Sequence, residues 1–189
     1  RFMANFYDAD EVNRLFEISK GTKLEIPILF GAFYGMRRSE TLGMKWDAID
    51  FERDTITIRH TLTTVALDGK RITVAEDRTK NKSSMRTLPL VPFVKERLLE
   101  LKAEQEENRR LCGRSYVKDY TGYVCINEIG DIIKPNYVSC GFPKLLEEHG
   151  SRRVRYHDLR HSCASLLLAN GVPMKQIQEW LGHSDFSIT

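Results

Sequence analysis

The sequence lacks long apolar stretches, and neither sign of charge is in strong excess. Its longest apolar runs, Ile26–Phe30 and Ala164–Ala169, are far shorter than the roughly 18 residues that a membrane-spanning helix needs. With 29 basic and 26 acidic residues, the net charge is +3, which alone is weak evidence for a nucleic-acid partner. The length of 189 residues suits a single domain, which we predict over 1–189.

Metal-binding patterns are also missing. The four cysteines form no CxxC pair, and no histidine follows them at zinc-finger spacing. No cluster of aspartates and glutamates suits a two-metal site. We therefore expect no metal and no other cofactor. The cysteines are expected to be reduced and mostly buried, as in a cytoplasmic protein without a structural disulfide.

The basic residues are concentrated in two short segments. Residues 78–86 carry four basic side chains and no acid, and residues 152–160 carry four arginines and one acid. Residues 96–107 instead carry five glutamates against two basic side chains. A groove that faces phosphates, with an acidic far side, gives this distribution. Solvated basic loops give it equally well, so charge alone leaves both readings open.

Hydrophobic periodicity predicts a mainly helical domain with a small sheet. Helices are expected at 8–19, 24–35, 39–44, 92–110, 135–149, 157–170 and 173–181, with Asp8 and Ser39 as capping residues. Period-2 alternation over 54–65, followed by an Asp68-Gly69 turn, 71–74 and 86–89, predicts an antiparallel sheet of about three strands. Residues 112–134 are expected to be irregular.

Four motifs, 20 to 75 residues apart, carry the candidate chemistry. They read GMRRSE from Gly35, TKNKSSMRTLP from Thr79, HDLRH from His157 and LGHS from Leu181. The i, i+3 spacing of His157 and Arg160 places both on one helical face. Attack on a phosphodiester builds negative charge on its oxygens, which two arginine forks can bind without a metal ion. Preorganised donors of this kind contribute on the order of a few kcal/mol each.

In this order, the motifs resemble those of the tyrosine recombinase family, over essentially the whole chain. The flanks GMRRSE, KSSMRTLPL, HDLRHS and WLGHS are most similar to integrases of conjugative, transposon or phage-like elements. The resemblance implies a mixed α/β, mainly α catalytic domain, with helices around a small antiparallel sheet. It also implies site-specific DNA recombination through a covalent 3′-phosphotyrosyl intermediate, with no cofactor.

The resemblance implies five catalytic residues. They are two arginines for the phosphate, a histidine that accepts the nucleophile's proton, a second histidine and a lysine: Arg37, Arg160, His157, His183 and Lys80. Lys82 is the alternative lysine; the spacing to Arg86 and Pro89 favours Lys80.

Further basic and polar residues near the motifs are predicted to contact DNA. They are Arg38, Lys82, Ser84, Arg86, Arg152, Arg153 and Arg155. For the three arginines at 152, 153 and 155, an exposed basic loop is the alternative. Glu40 and Asp158 are expected to hold arginines in place and not to act as general bases.

The family's tyrosine nucleophile lies shortly after the LGHS motif, a place that none of the seven tyrosines here occupies. We therefore expect the sequence to lack its nucleophile, and also the family's N-terminal DNA-binding domains. The implied partners are double-stranded DNA at recombination sites, three further copies in a homo-tetramer on DNA, and accessory DNA-bending or excision factors. The free protein is expected to be a monomer in the bacterial cytoplasm.

Three alternatives remain open. A DNA-binding module derived from a recombinase would bind without cleaving. A type IB topoisomerase would use the same chemistry to relax supercoils. A metal-dependent nuclease would lose cleavage in EDTA. The complete set of candidate catalytic side chains argues against the first alternative, because binding alone does not need it.

Overall fold

The computed structural model describes residues 6–67, 70–77 and 85–182. Its internal contacts divide the chain into two compact units. The first consists of Arg1–Thr41 with Lys134–Thr189, and the second of Leu42–Ile133. The predicted Asp68-Gly69 turn lies outside the described residues. The single catalytic domain over 1–189 stays a prediction.

The mainly helical fold with small antiparallel sheets is confirmed. The helices are α1 (Ala9–Ser19), α2 (Glu25–Tyr34), α3 (Arg38–Leu42), α4 (Pro92–Cys112), α5 (Pro135–Glu148), α6 (Asp158–Ala169) and α7 (Met174–Leu181). The strands are β1 (Ile49–Asp50), β2 (Thr55–Ile58), β3 (His60–Leu67), β4 (Lys70–Asp77) and β5 (Arg86–Pro89). The long helices begin and end within about two residues of their predicted bounds, because their apolar periodicity is strong.

Helix α1 begins as its sequence predicts, and α3 does not. The Asp8 carboxylate accepts from the Glu11 N–H (2.9 Å), and the Glu11 carboxylate accepts from the Asp8 N–H (3.0 Å), which completes a capping box. The prediction of Ser39 as the cap of α3 is wrong, because that helix already begins at Arg38. Glu40 instead accepts a hydrogen bond from the N–H of Arg37.

In the first unit, α2 is the central helix. It packs against α1 and α6, and α6 packs in turn against α7. Eight of its ten residues are buried, as its apolar sequence predicts. Gly31 permits the close approach to α6, since a Cβ atom there would lie 3.3 Å from Leu159 Cδ1 in that helix and 3.0 Å from the hydroxyl of Tyr156 just before it. This packing places the start of α6 against α2, with the predicted catalytic residue Arg160 in its first turn and His157 immediately before it.

In the second unit, the strands form two sheets where one was predicted. Strands β1, β2 and β5 form an antiparallel sheet with β2 in the middle, while β3 and β4 form a separate hairpin. The single strand predicted over 54–65 therefore ends at Ile58 and resumes at His60 in the other sheet. Alternation continues across Arg59, so the sequence pattern does not reveal the break.

The long helix α4 contributes both a buried anchor and an exposed acidic surface. Gln105 is buried; its side chain accepts from the indole N–H of Trp46 (3.0 Å) and donates to the carbonyl of Val124 (2.8 Å). The five glutamates of 96–107 are all exposed. Trp46 and Trp180, both predicted to be core residues, are only partly buried.

Within the described ranges, no helix combines the length and apolar character needed to cross a membrane. Cys125 and Cys163 are buried, Cys112 is partly buried and Cys140 is exposed, so the expectation of mostly buried cysteines holds for two of the four. Burial raises the pKa of the Cys125 thiol to about 12.

Candidate active site

Arg160 joins three of the four motif segments. Its guanidinium donates one hydrogen bond to the carbonyl oxygen of Gly35 (2.5 Å) and another to that of Leu181 (2.6 Å). Gly35 opens the GMRRSE motif, Arg160 lies in HDLRH, and Leu181 opens LGHS. The arginine is only 3% exposed, so two backbone segments hold it in one orientation.

The backbone around Gly35 allows this approach. Gly35 ends α2 in the left-handed conformation, at φ 62°, which residues with a side chain seldom adopt. A Cβ atom there would lie 2.3 Å from Leu181 Cδ2, so a side chain at this position would have to displace Leu181. Helix α7 ends in the same way, with Gly182 at φ 66°. The next residue, His183, lies outside the described residues.

Arg37 is held by its neighbour Glu40. The Glu40 carboxylate is fully buried and accepts from both the backbone N–H and the guanidinium of Arg37, each at 2.9 Å. About a third of the Arg37 side chain remains exposed. The guanidinium is therefore oriented by a buried carboxylate and still reaches solvent. The predicted role of Glu40, to hold an arginine, matches this geometry.

His157 immediately precedes α6 and is exposed. Its ring meets that of His161 edge to face, with centroids 5.6 Å apart. Partial burial of the ring lowers the pKa of His157, and the neighbouring charges of His161 and Arg160 lower it further. The neutral form, which can accept a proton, therefore predominates at pH 7.

Asp158 holds Arg155 at the start of α6. Its buried carboxylate accepts from the backbone N–H of Arg155 (2.9 Å) and from the guanidinium (2.9 and 3.1 Å). Burial by itself raises the pKa of Asp158, but its hydrogen bonds from Arg155 outweigh that effect and bring it below the usual value. Asp158 is thus a charged partner of an arginine, as predicted, and Arg155 stays largely exposed.

The other predicted DNA-contact arginines of the first unit differ in their surroundings. Arg38 is exposed and donates to the hydroxyl of Ser139. Arg153 is exposed. Arg152 instead forms a two-pronged ion pair with Glu11, at 2.8 and 2.9 Å. Its guanidinium is thus already engaged within the protein.

The remaining predicted residues belong to the second unit or lie outside the described ranges. Arg86 is in β5, where it pairs with Ile58, and is only 8% exposed. Lys80, Lys82 and Ser84 lie outside the described residues, so the choice between the two lysines stays open.

Tyr156 and Ser162 support α6 through hydrogen bonds to distant parts of the chain. The Tyr156 hydroxyl donates to the carbonyl of Pro27 (2.6 Å) and lies 3.2 Å from the Thr41 hydroxyl. The Ser162 hydroxyl accepts from the backbone N–H of Tyr7 (2.8 Å). These partners are more than 100 residues away in the chain, and no local pattern predicts such pairings.

The fold and the order of the motifs define a catalytic domain of the tyrosine recombinase type. The chain belongs to the phage integrase family, whose model matches residues 5–189. It is 31% identical over 188 residues to a tyrosine recombinase XerC-like protein of Caldanaerobacter subterraneus subsp. tengcongensis, covering 97% of this chain and 48% of that protein. It is 32% identical over 189 residues to tyrosine recombinase XerA of Thermococcus onnurineus, covering 95% and 54%. The chain thus spans about half the length of these relatives.

Solved structures share the fold. The Tn1549 transposon integrase, solved in complex with transposon right end DNA, superposes with a TM-score of 0.75 at 18% identity, covering 95% of this chain and 58% of that one. XerA recombinase superposes with a TM-score of 0.72 at 19% identity, covering 98% and 58%. At these identities the likeness establishes the fold alone.

Proposed function

We propose that this chain catalyses site-specific DNA recombination, as part of the integration and excision of a mobile element. The observation that best supports this proposal is the pair of arginines held in fixed orientations. Arg160 is held by two backbone carbonyls, and Arg37 by the buried carboxylate of Glu40. Family membership supports the reaction class, and the likeness to a transposon integrase supports the mobile-element context.

The arginines stabilise the transition state of phosphoryl transfer. Negative charge develops on the non-bridging oxygens of the scissile phosphate, and Arg37 and Arg160 supply matching positive charge. Because both guanidiniums are oriented before DNA arrives, little reorganisation is needed during the reaction. The reaction then requires no metal ion.

Each proton in the reaction has a proposed acceptor or donor. A tyrosine hydroxyl attacks the phosphorus, forming the phosphotyrosyl bond and breaking the bond to the 5′-oxygen. Neutral His157 accepts the tyrosine proton. Lys80, or Lys82, gives a proton to the 5′-oxygen as it leaves. His183 hydrogen-bonds the phosphate or orients the nucleophile. The phosphodiester energy is retained in the intermediate, so a second DNA end can reverse the step without ATP.

We propose that the attacking tyrosine is none of the seven in this sequence. Five of them are buried: Tyr7, Tyr34, Tyr116, Tyr123 and Tyr156. Tyr120 and Tyr137 have more exposed side chains, but neither lies near the four motifs in sequence. A nucleophile in the family's usual place, shortly after LGHS, fits better.

The proposed partner is double-stranded DNA at the ends of the element. Two duplexes must be cut and exchanged, so we propose a homo-tetramer on DNA that forms from free monomers, with accessory DNA-bending or excision factors. The proposed location is the bacterial cytoplasm, on DNA.

A covalent-adduct experiment tests the reaction. The protein is expressed with whatever its gene encodes on either side of residues 1–189, and mixed in EDTA with a nicked duplex carrying the element's end sequence. The expected result is a protein–DNA adduct on a denaturing gel. Arg37→Ala and Arg160→Ala abolish it, whereas Arg53→Ala, which removes an 86% exposed arginine, leaves it intact.

Other outcomes select the alternatives. DNA that is bound without any adduct favours the DNA-binding module. An adduct with relaxation of supercoiled plasmid, but without joined recombinant products, favours the type IB topoisomerase. Cleavage that stops in EDTA favours the metal-dependent nuclease.

A further inference from the structure

Arg152 links the beginning of the described chain to the segment that leads into α6. Its guanidinium donates to both carboxylate oxygens of Glu11 (2.9 and 2.8 Å) and to the carbonyl of Phe6 (2.6 Å). The same guanidinium lies 5.2 Å from the centre of the Tyr7 ring. The Tyr7 hydroxyl in turn donates to the carbonyl of Arg152. Three kinds of contact thus converge on the Arg152 side chain, and a fourth joins Tyr7 to the backbone of the same residue.

The connection continues from Tyr7 into α6. The buried backbone N–H of Tyr7 donates to the Ser162 hydroxyl at 2.8 Å. That hydroxyl donates to the carbonyl of Asp158 (3.1 Å) in the first turn of α6. Ser162 follows Arg160 by two residues on the same helix. We call these five residues, Phe6, Tyr7, Glu11, Arg152 and Ser162, the α6 latch.

We propose that Arg152 is a positioning residue that holds α6, with His157 and Arg160, in place through the α6 latch, and that it is not a contact to DNA phosphate. The guanidinium fork is matched to the Glu11 carboxylate, and a phosphate would have to displace that carboxylate to bind. The expected effect on adduct formation rests on the proposed recombination reaction, whereas the expected effect on amide exchange in α6 is independent of that reaction.

Arg152 and its neighbour Arg153 provide a matched comparison. Both carry one positive charge in the same segment and both are exposed, with 42% of the Arg152 side chain accessible, but only Arg152 is paired with Glu11. An alanine at either position removes the same charge. If the α6 latch exists, only Arg152→Ala should increase amide exchange in α6. If the effect comes from loss of positive charge alone, both variants should change amide exchange equally.

The experiment compares wild type, Arg152→Ala, Arg153→Ala and Arg152→Lys in three measurements. The first is amide hydrogen exchange over residues 159–163. The second is the dependence of DNA affinity on salt concentration. The third is the rate of adduct formation with saturating DNA. Arg152→Lys is informative because lysine is a good point charge for phosphate but cannot form the two-pronged pair with Glu11.

The latch predicts a specific combination of results. Arg152→Ala speeds amide exchange in α6 by about tenfold or more, which corresponds to about 1.4 kcal/mol. It leaves the salt slope unchanged and slows adduct formation by roughly tenfold, since small displacements of catalytic groups are costly. Arg152→Lys behaves like the alanine variant. Arg153→Ala leaves α6 exchange at the wild-type rate.

The opposite combination overturns the proposal. Loss of a phosphate contact would reduce the slope of log DNA affinity against log salt concentration by about one. Arg152 is a DNA contact if Arg152→Ala shows this reduction with α6 amide exchange at the wild-type rate, and if Arg152→Lys binds DNA like wild type. If wild type forms no adduct at all, the proposed function fails, but exchange and salt slope still decide the latch. Should Arg152→Ala not fold, Glu11→Gln replaces it, because glutamine keeps the capping hydrogen bond and loses the charge.

Discussion

The guanidinium of Arg160 donates a hydrogen bond to the carbonyl oxygen of Gly35, which lies 125 residues earlier in the chain. The turn that precedes Arg37 is thereby attached directly to α6, the helix that begins just after His157. The two arginines proposed to bind the phosphate thus depend on each other's surroundings. A change in the turn should disturb Arg160 even though it leaves the arginine itself intact.

Replacing Gly35 tests that dependence. Gly35→Ala forces a side chain into the left-handed conformation and within 2.3 Å of Leu181 Cδ2. Gly171→Ala is the control, because its φ is 78° and its Cβ meets nothing within 4 Å. Backbone strain should cost both variants roughly 1 kcal/mol or more. The clash should cost Gly35→Ala about 1–3 kcal/mol in addition, measured by urea unfolding. Equal losses of unfolding free energy in Gly35→Ala and Gly171→Ala would show that the Leu181 side chain moves aside without cost.

Neutralising Glu40 should uncouple Arg37 without removing it. Glu40→Gln keeps the shape of the side chain but loses the charge that pairs with the guanidinium. We expect adduct formation at saturating DNA to slow by about 10- to 100-fold, because the arginine no longer keeps one orientation. Glu52→Gln, which changes an exposed acid, should have no effect. A wild-type rate for Glu40→Gln would mean that the carboxylate does not orient Arg37.

His157 should titrate below the ordinary histidine value of about 6.5. Burial is the main cause, and His161 and Arg160 add to it. His161→Gln should therefore raise the pKa of His157 part of the way back, as measured by NMR titration. No change in that variant would exclude an electrostatic coupling between the two rings.

The same shift makes a prediction for stability. Because the pKa of His157 is lower in the folded state, the unfolded chain binds more protons between the two pKa values. The contribution of His157 to the free energy of unfolding is complete above about pH 6.5 and is lost as pH falls through the folded-state pKa. His157→Gln should flatten this part of the stability profile, while His149→Gln provides a control for general effects of histidine loss.

Tyr156 should stabilise the first unit through its hydroxyl. Tyr156→Phe removes the hydrogen bond to the Pro27 carbonyl and the contact with Thr41. We expect a loss of about 1 kcal/mol in the free energy of unfolding. Tyr137→Phe, at an exposed position, should cost much less. If the two variants lose the same amount, the buried hydroxyl adds nothing to the packing of α2 on α6.

The thiols should react with alkylating reagents according to burial. Cys140 is exposed and should react quickly in the native protein. Cys125 should resist, since it is buried and its pKa is about 12. Mass spectrometry after brief labelling distinguishes them, and all four should react in urea. Rapid native labelling of Cys125 would reveal frequent opening of the second unit.

The sequence alone predicted most of the helices and, through four motifs, the family. Both results depend on local information. Apolar periodicity identifies α1, α2 and α4 to α7 to within about two residues. The motifs predict Arg37, His157 and Arg160 as catalytic residues because the order of these residue types matches that of the family. The strand prediction failed at Arg59, because the same alternation of apolar and polar residues fits one long strand and also two shorter strands in different sheets.

Only the tertiary structure decided how the candidate residues are held. Arg152 and Arg153 are adjacent and chemically identical in the sequence, and both are exposed, but only Arg152 is paired with Glu11. No sequence pattern near residue 152 predicts that its partner lies 141 residues away in the chain. The partners of Arg160 cannot be predicted from the sequence either, because its acceptors are backbone carbonyls, which every residue type supplies. Such contacts exist only once α1, α2, α6 and α7 have packed together, because hydrogen-bond geometry depends on position in space and not on order along the chain.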